Sequence, residues 1–161
     1  MVEKHRKRWI AAANEIGKVV PQMKVVIVGG VAGGATAAAR LRRLDEKAQI
    51  IIFERSGYIS YANCGLPYYI GGVIEDKNSL TLQSPQGFWE RFRIDARVRH
   101  EVTAVNRDRK TVTVRDLASQ RVYEESYDKL LLSPGALPIK PSLPGIDCRK
   151  IHTLRTVEDT L

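Results

Sequence analysis

The chain has 161 residues, 43% hydrophobic and 27% charged, with a formal net charge of +8, which suits one globular domain with enough apolar residues to bury a core. No run of about 18 apolar residues occurs, so no segment has the character of a membrane-spanning helix. Two cysteines, Cys64 and Cys148, make neither a disulfide framework nor a CxxC pair, a usage that fits a reducing cytoplasm and leaves each thiol either inert or chemical.

Residues 1–22 carry five lysines and arginines against two glutamates, concentrated in "EKHRKRW". Such an arm can serve nucleic acid or a membrane surface. Base-stacking aromatics are not interleaved beyond Trp9, so a solvated basic extension is expected, with no nucleic-acid or membrane partner. A signal peptide fits worse still, because only "WIAAA" is apolar before Asn14 and Glu15.

The folded part, residues 23–161, is expected to begin at Met23, after Pro21. "KVVIVGG" has the pattern of a buried strand running into glycines. "GGATAAARLRRL" follows as a helix, with alanines at close-packing positions, Leu41 and Leu44 on one side, and Arg40, Arg42 and Arg43 reaching outward. "AQIIIFE" is a second buried strand ending in Glu54, and the three pieces make a βαβ unit with parallel strands. In "SPQGFWERF" Ser84 caps a helix with Pro85 at its first position, predicting that Phe88, Trp89 and Phe92 pack inward. "RVRHEVTAVN", "KTVTVRD" and "RVYEES" alternate with period two around the turn "RDRK" and predict a small antiparallel meander. "YDKLLLSPG" predicts one more buried strand and a Pro-Gly turn. The fold class is α/β, a Rossmann-like domain with a parallel sheet, helices and the meander.

"GGVAGG" stands where a dinucleotide site requires it, after a strand, opening a helix, with an acid about 20 residues beyond. Gly29 permits the tight turn and Gly34 lets helix and strand approach. The loop from Gly29 through Gly30, Val31, Ala32 and Gly33 to Gly34 presents backbone amides that can hold a pyrophosphate at the helix N-terminus. Glu54, followed by Arg55, would accept from a ribose 2′-hydroxyl, which favours FAD or NAD over a 2′-phosphorylated nucleotide. One departure stands out: in register with Gly29 and Gly34, the middle glycine of GxGxxG is Val31, whose side chain crowds the phosphates.

Cys64 lies ten residues beyond Glu54, in a segment leaving the carboxyl edge of the sheet where ligands of open α/β folds bind. Pro67 fits a first helical turn, which sets the thiol at the positive end of a short helix, a location that favours thiolate. An isolated cysteine is otherwise a small core residue.

"VVIVGGVAGGATAAARLRRLD", "FERSGYISYANCGLPYYIGG" and "YDKLLLSPGALP" together resemble the FAD-binding start of the pyridine nucleotide-disulfide oxidoreductases. Within them the resemblance is to the single-cysteine coenzyme A-disulfide reductase and persulfide reductase group. It covers about 139 residues, Met23 to the end. It implies FAD as cofactor, NAD(P)H as electron donor, and Cys64 as a redox nucleophile alternating between thiolate and a mixed disulfide with coenzyme A, so that a small thiol or disulfide is the substrate. It further implies coenzyme A contacts at Thr36, Arg40, Arg43, Ser60 and Asn63, an adenine contact from the backbone of Val102, and a second dinucleotide turn at Ser133, Pro134 and Gly135, with Lys129 a weaker candidate. Arginine suits the phosphates of coenzyme A through bidentate, charge-assisted bonds. A further basic contact of the family falls on Phe92, between Arg91 and Arg93.

Position 69 is Tyr69, so a CxxxxC dithiol is excluded. Ala32 stands where oxidase and peroxidase relatives carry a histidine, which favours disulfide reduction over sulfenic-acid chemistry. Cys148, in "GIDCRK", reads as an exposed bystander, and no metal site is expected. An NADH oxidase or peroxidase, or an inactive nucleotide-binding module, are the alternatives. In the family the sequence "HTLRTVEDTL" leads into an NADH-binding domain and, later, a dimerisation domain. The 161 residues contain neither, so a truncated form with little activity alone, of a family that is homodimeric, is expected.

Overall fold

The structure is a computed structural model that describes residues 22–161; all but the last residue of the basic extension therefore lies outside the described residues. The strand β1, Lys24–Val28, runs parallel to β2, Gln49–Glu54, and the helix α1, Ala32–Leu44, connects them. The cysteine segment and the short helix α2, Leu66–Ile70, come next, followed by α3, Pro85–Phe92, and β3, Asp95–Val98. Three antiparallel strands follow: β4, His100–Asn106, β5, Thr111–Asp116, and β6, Val122–Ser126. The chain then returns as β7, Lys129–Leu132, to pair parallel with β1.

The main sheet has the order β3-β2-β1-β7, and its side chains divide by parity as the pleat demands. Val25, Ile27, Ile50 and Ile52 point to one face, where Ala35 and Ala38 of α1 and Phe88 of α3 cover them. Val26, Ile51 and Phe53 point to the other, where Val112 and Val114 of β5 meet them. Strand β2 is therefore sealed on both faces, with Ile51 and Ile52 at 0% exposure, and each such side chain contributes on the order of 1.5–3 kcal/mol of burial. A polar network closes the seam between sheet and meander. Arg97 Nη1 donates to Tyr123 Oη and Glu125 Oε2, both at 3.1 Å, Arg97 also pairs with Asp95 at 2.6 Å, and Lys24 pairs with Glu125. Burial alone lowers the Arg97 pKa, but its bonds to Asp95 and Tyr123 outweigh that and raise it.

Four expectations need correction. The "RV" that opens "RVRHEVTAVN" is not part of the meander but the end of β3, which pairs parallel with β2 from Ile51–Asp95 to Glu54–Val98. Trp89 is exposed, under the Arg93 guanidinium at 5.6 Å, whereas Phe88 is buried and Phe92 packs against the core. On α1, Leu44 is exposed and Arg42 does not reach outward. Its guanidinium donates to the carbonyls of Phe92, Arg93, Asp45 and Glu46 at 2.8–3.2 Å, tying α1 to the end of α3. Finally, β7 lies at the sheet edge, with Leu132 61% exposed, and is not a buried strand.

Candidate functional site

The order β3-β2-β1-β7 reverses direction between β1 and β7, and a crevice opens outside the carboxyl ends of these two strands, as open α/β sheets require. Gly29 follows the end of β1 there, with φ +93. Its amide donates to Phe53 O at 2.8 Å, and a Cβ on it would stand 2.1 Å from Ser133 O. Gly34 is as constrained, since a Cβ there would lie 1.8 Å from Gly29 O. Ser133 fastens this close approach: its Oγ donates to Val28 O and Gly29 O, both at 3.0 Å. The tight turn that glycine spacing predicts is thus set by contact with the end of β7 as well as with α1.

Helix α1 opens at Val31 without a side-chain cap and without an acid in its first turn. Its first amides have no protein acceptor of the usual kind, and Val31, Ala32 and Gly33 line a cleft of about 1120 Å³. Beneath the loop Glu54, only 8% exposed, accepts from Gly30 N and Ser56 N, both at 2.8 Å. Glu54 and Arg55 border the same cleft, and the exposed Arg55 lies 4.0 Å from Glu101.

The cysteine segment forms the opposite wall. Ser60 is held by Gly30 O at 2.9 Å, in a left-handed conformation with φ 51 that a non-glycine residue adopts only under constraint. Tyr61 bridges Thr81, and the Ala62 amide donates to Leu80 O at 2.8 Å, so a short ladder fixes the backbone that enters the turn. Asn63–Gly65 is one 3₁₀ turn running into α2, with Pro67 in the first turn of that helix and Leu66 buried below. Cys64 is left exposed, on the cleft. Next to it, Asn63 Oδ1 is sealed from solvent with no hydrogen-bond partner.

The cleft thus brings together Val31, Ala32, Gly33 and Thr36 of the glycine-loop side, Glu54 and Arg55, and Ser60, Asn63 and Cys64. Ser133, Pro134 and Gly135 complete it from the end of β7. Gly29, Gly30 and Gly34 lie beneath it as turn and packing positions. Arg40 and Arg43 are exposed on α1 and do not line it. Val102 packs between the sheets, beside a bulge at Thr103 that interrupts its pairing with β5, and does not reach the cleft. Lys129 starts the edge strand, and Cys148 is exposed in the loop before the last segment. Among the described residues no cluster of three or more potential metal ligands occurs.

Sequence reasoning missed the segment around Thr153–Asp159, which supplies much of the remaining wall. Val157 is buried against Tyr61, Leu66 and Leu80. Glu158 Oε1 accepts from Gly57 N at 2.7 Å, and Asp159 Oδ2 accepts from Arg155 N and Thr156 N, both at 2.7 Å. The bond from Thr156, then that from Arg155, holds the Asp159 carboxyl below its ordinary range. Thr156-x-x-Asp159 is a capping-box spacing and was the available signal. Arg155 reaches toward the second turn, with Nη2 3.6 Å from where a Gly135 Cβ would stand.

A crevice at the reversal point of a parallel sheet, floored by a glycine turn and an uncapped helix, defines a nucleotide-binding domain of the Rossmann class. Residues 23–161 match the family described as pyridine nucleotide-disulphide oxidoreductase, and the chain belongs to it. It is 47% identical over 137 residues to coenzyme A disulfide reductase of Staphylococcus aureus, a match covering 85% of this chain and 31% of that one. Among solved structures, reduced CoADR-RHD of Bacillus anthracis superposes with TM-score 0.83 at 53% identity, over 86% of this chain and 25% of the other. An NAD-dependent persulfide reductase from A. fulgidus gives TM-score 0.79 at 35% identity, over 86% and 26%. The chain spans about a third of the length of the curated relatives it matches.

Proposed function

We propose that this chain carries the FAD-binding part of a coenzyme A-disulfide or persulfide reductase in which Cys64 is the redox nucleophile and NAD(P)H the electron source. The observation that carries the proposal is that the exposed Cys64 thiol shares one cleft with the uncapped start of α1 and with the Ser133–Gly135 turn. The resident group fits the residues present. The packing admits no Cβ at Gly29, against Ser133 O, or at Gly34, against Gly29 O, and the start of the helix lines a cleft of dinucleotide size.

In this reading the amides of Ala32 and Gly33 hold the pyrophosphate, and Arg155 adds positive charge at the second turn. Glu54 keeps the loop in shape and offers its remaining lone pairs to a ribose hydroxyl. FAD, when bound, supplies a two-electron carrier between pyridine nucleotide and the disulfide. The Cys64 thiolate attacks one sulfur of coenzyme A disulfide. The substrate S–S bond breaks, one coenzyme A leaves as thiolate, and a Cys64–coenzyme A disulfide forms. Two electrons and a proton return Cys64 to thiolate and release the second coenzyme A as thiol. Thr36, Ser60 and Asn63 border the path to Cys64, while Arg40 and Arg43 remain free at the surface for the phosphates of coenzyme A. A reducing cytoplasm keeps such a single thiol available.

Adding coenzyme A disulfide to the pre-reduced chain and measuring released thiol tests this directly. One equivalent is expected from the parent and from Cys148→Ser, and none from Cys64→Ser. A parent that releases no thiol, yet forms a stable sulfenic acid at Cys64 with peroxide, would replace the proposal with the oxidase or peroxidase alternative.

A further inference from the structure

Tyr61 is a polar side chain on the cleft that nothing above employs. It is 6% exposed and packs with Leu66, Leu80 and Val157, yet it lines the cleft. No hydrogen bond joins its hydroxyl to a described residue. Among those residues the one side-chain polar atom both sealed and unbonded is Asn63 Oδ1, so the unbonded Tyr61 hydroxyl keeps some solvent contact, on a residue that lines the cleft.

The surroundings say what it can bind. Glu54, Glu158 and Asp159 accept from Gly30, Ser56, Gly57, Arg155 and Thr156 amides and present acceptors only. Burial first, and then the charges of Glu54 and Glu158, raise the phenol's pKa, so the group is a donor at neutral pH and well above it. Arg155 opposes these charges in part, but the three acids outnumber it, so a ligand phosphate beside Tyr61 would be repelled. A sugar hydroxyl, which accepts and donates at once, satisfies both the phenol and a carboxylate.

We propose that Tyr61 is a binding residue whose hydroxyl donates to a ribose or ribityl hydroxyl oxygen of the dinucleotide. This rests on the FAD reading above. The test is a flavin fluorescence titration of the full chain with FAD, for the parent and Tyr61→Phe, with AMP as a competitor and thermal melting of each ligand-free chain. Tyr61→Phe keeps the ring and its packing. It is expected to weaken FAD about fivefold, the worth of one net hydrogen bond, and to leave the ligand-free melting temperature unchanged. If AMP weakens alike, the ribose is the acceptor; if AMP is unaffected, the ribityl chain is. Unchanged FAD affinity, or a lower ligand-free melting temperature, overturns the assignment, while a parent that binds no FAD overturns it together with the FAD reading.

Discussion

The Glu54 carboxylate accepts the Gly30 amide at 2.8 Å, joining the tip of β2 to the glycine loop. Its second oxygen takes the Ser56 amide, so one buried acid shapes the backbone on both sides of the cleft floor. Glu54→Gln turns one acceptor into a donor facing an N–H. The expected cost is about 2 kcal/mol, the penalty of a buried donor without a partner, with FAD affinity falling in parallel. Chemical denaturation and flavin titration check both, and an unchanged midpoint would contradict the shaping role.

Two neighbouring glycines should respond differently to the same methyl group. At Gly34 a Cβ meets Gly29 O at 1.8 Å, backbone against backbone, whereas at Gly33 the nearest atom is Ser133 Cβ at 3.4 Å. Gly34→Ala is expected to destabilise by more than about 3 kcal/mol, and Gly33→Ala to be neutral or to stabilise by up to about 1 kcal/mol. Thermal melting of the two variants, side by side, is the measurement.

Arg42 and Arg43 are adjacent in sequence and unlike in role. Arg42 joins the last turn of α1 to the carbonyls that end α3, while Arg43 is exposed. Removing four charge-assisted bonds with Arg42→Met should lower stability by about 2 kcal/mol, and Arg42→Lys should not restore it, because an ammonium lacks the planar fork. Arg43→Met should leave the melting temperature within experimental error. If Arg43 meets coenzyme A phosphate, its loss appears instead as slower thiol release from coenzyme A disulfide.

Asp159 holds the last wall of the cleft by accepting two backbone amides, which depress its pKa. Its contribution is present above the unfolded value of about 3.9 and fades as pH falls through the lower native value. Amide hydrogen exchange at Arg155 and Thr156, corrected for the intrinsic rate at each pH, should therefore accelerate as pH falls below about 4. Asp159→Asn should show that faster exchange already at pH 7. Equal protection in parent and variant at pH 7 would contradict the role.

These contrasts mark what sequence could convey. The βαβ unit and the cysteine turn were legible because their signals are local: the run Val25–Val28 into Gly29, the acid at the tip of β2, and Pro67 after Cys64. The parallel pairing of β3 with β2 was not, because "RV" continues the alternation of "RVRHEVTAVN" and its partner lies more than 40 residues away. Arg42 and Trp89 misled for the same reason. Helical spacing put Trp89 beside Phe88 and Phe92 on an apolar stripe, but the helix turns only Phe88 and Phe92 to the core, and the carbonyls that recruit Arg42 belong to a helix 50 residues on. Tyr61 was silent because it matters only once Val157 is folded under the cysteine segment, and the Thr156–Asp159 spacing signalled a local cap but not that it walls the cleft.

The central claim is that Cys64 is a coenzyme A-reactive thiol sharing its cleft with bound flavin. An intact mass of the purified chain under non-reducing conditions, recorded with its visible absorbance and followed by peptide mapping, tests it most directly. The account predicts a thiol-releasable adduct of coenzyme A mass on Cys64 and yellow flavin absorbance after reconstitution with FAD and coenzyme A disulfide. A bare Cys64 in colourless protein, or an adduct confined to Cys148, would contradict it.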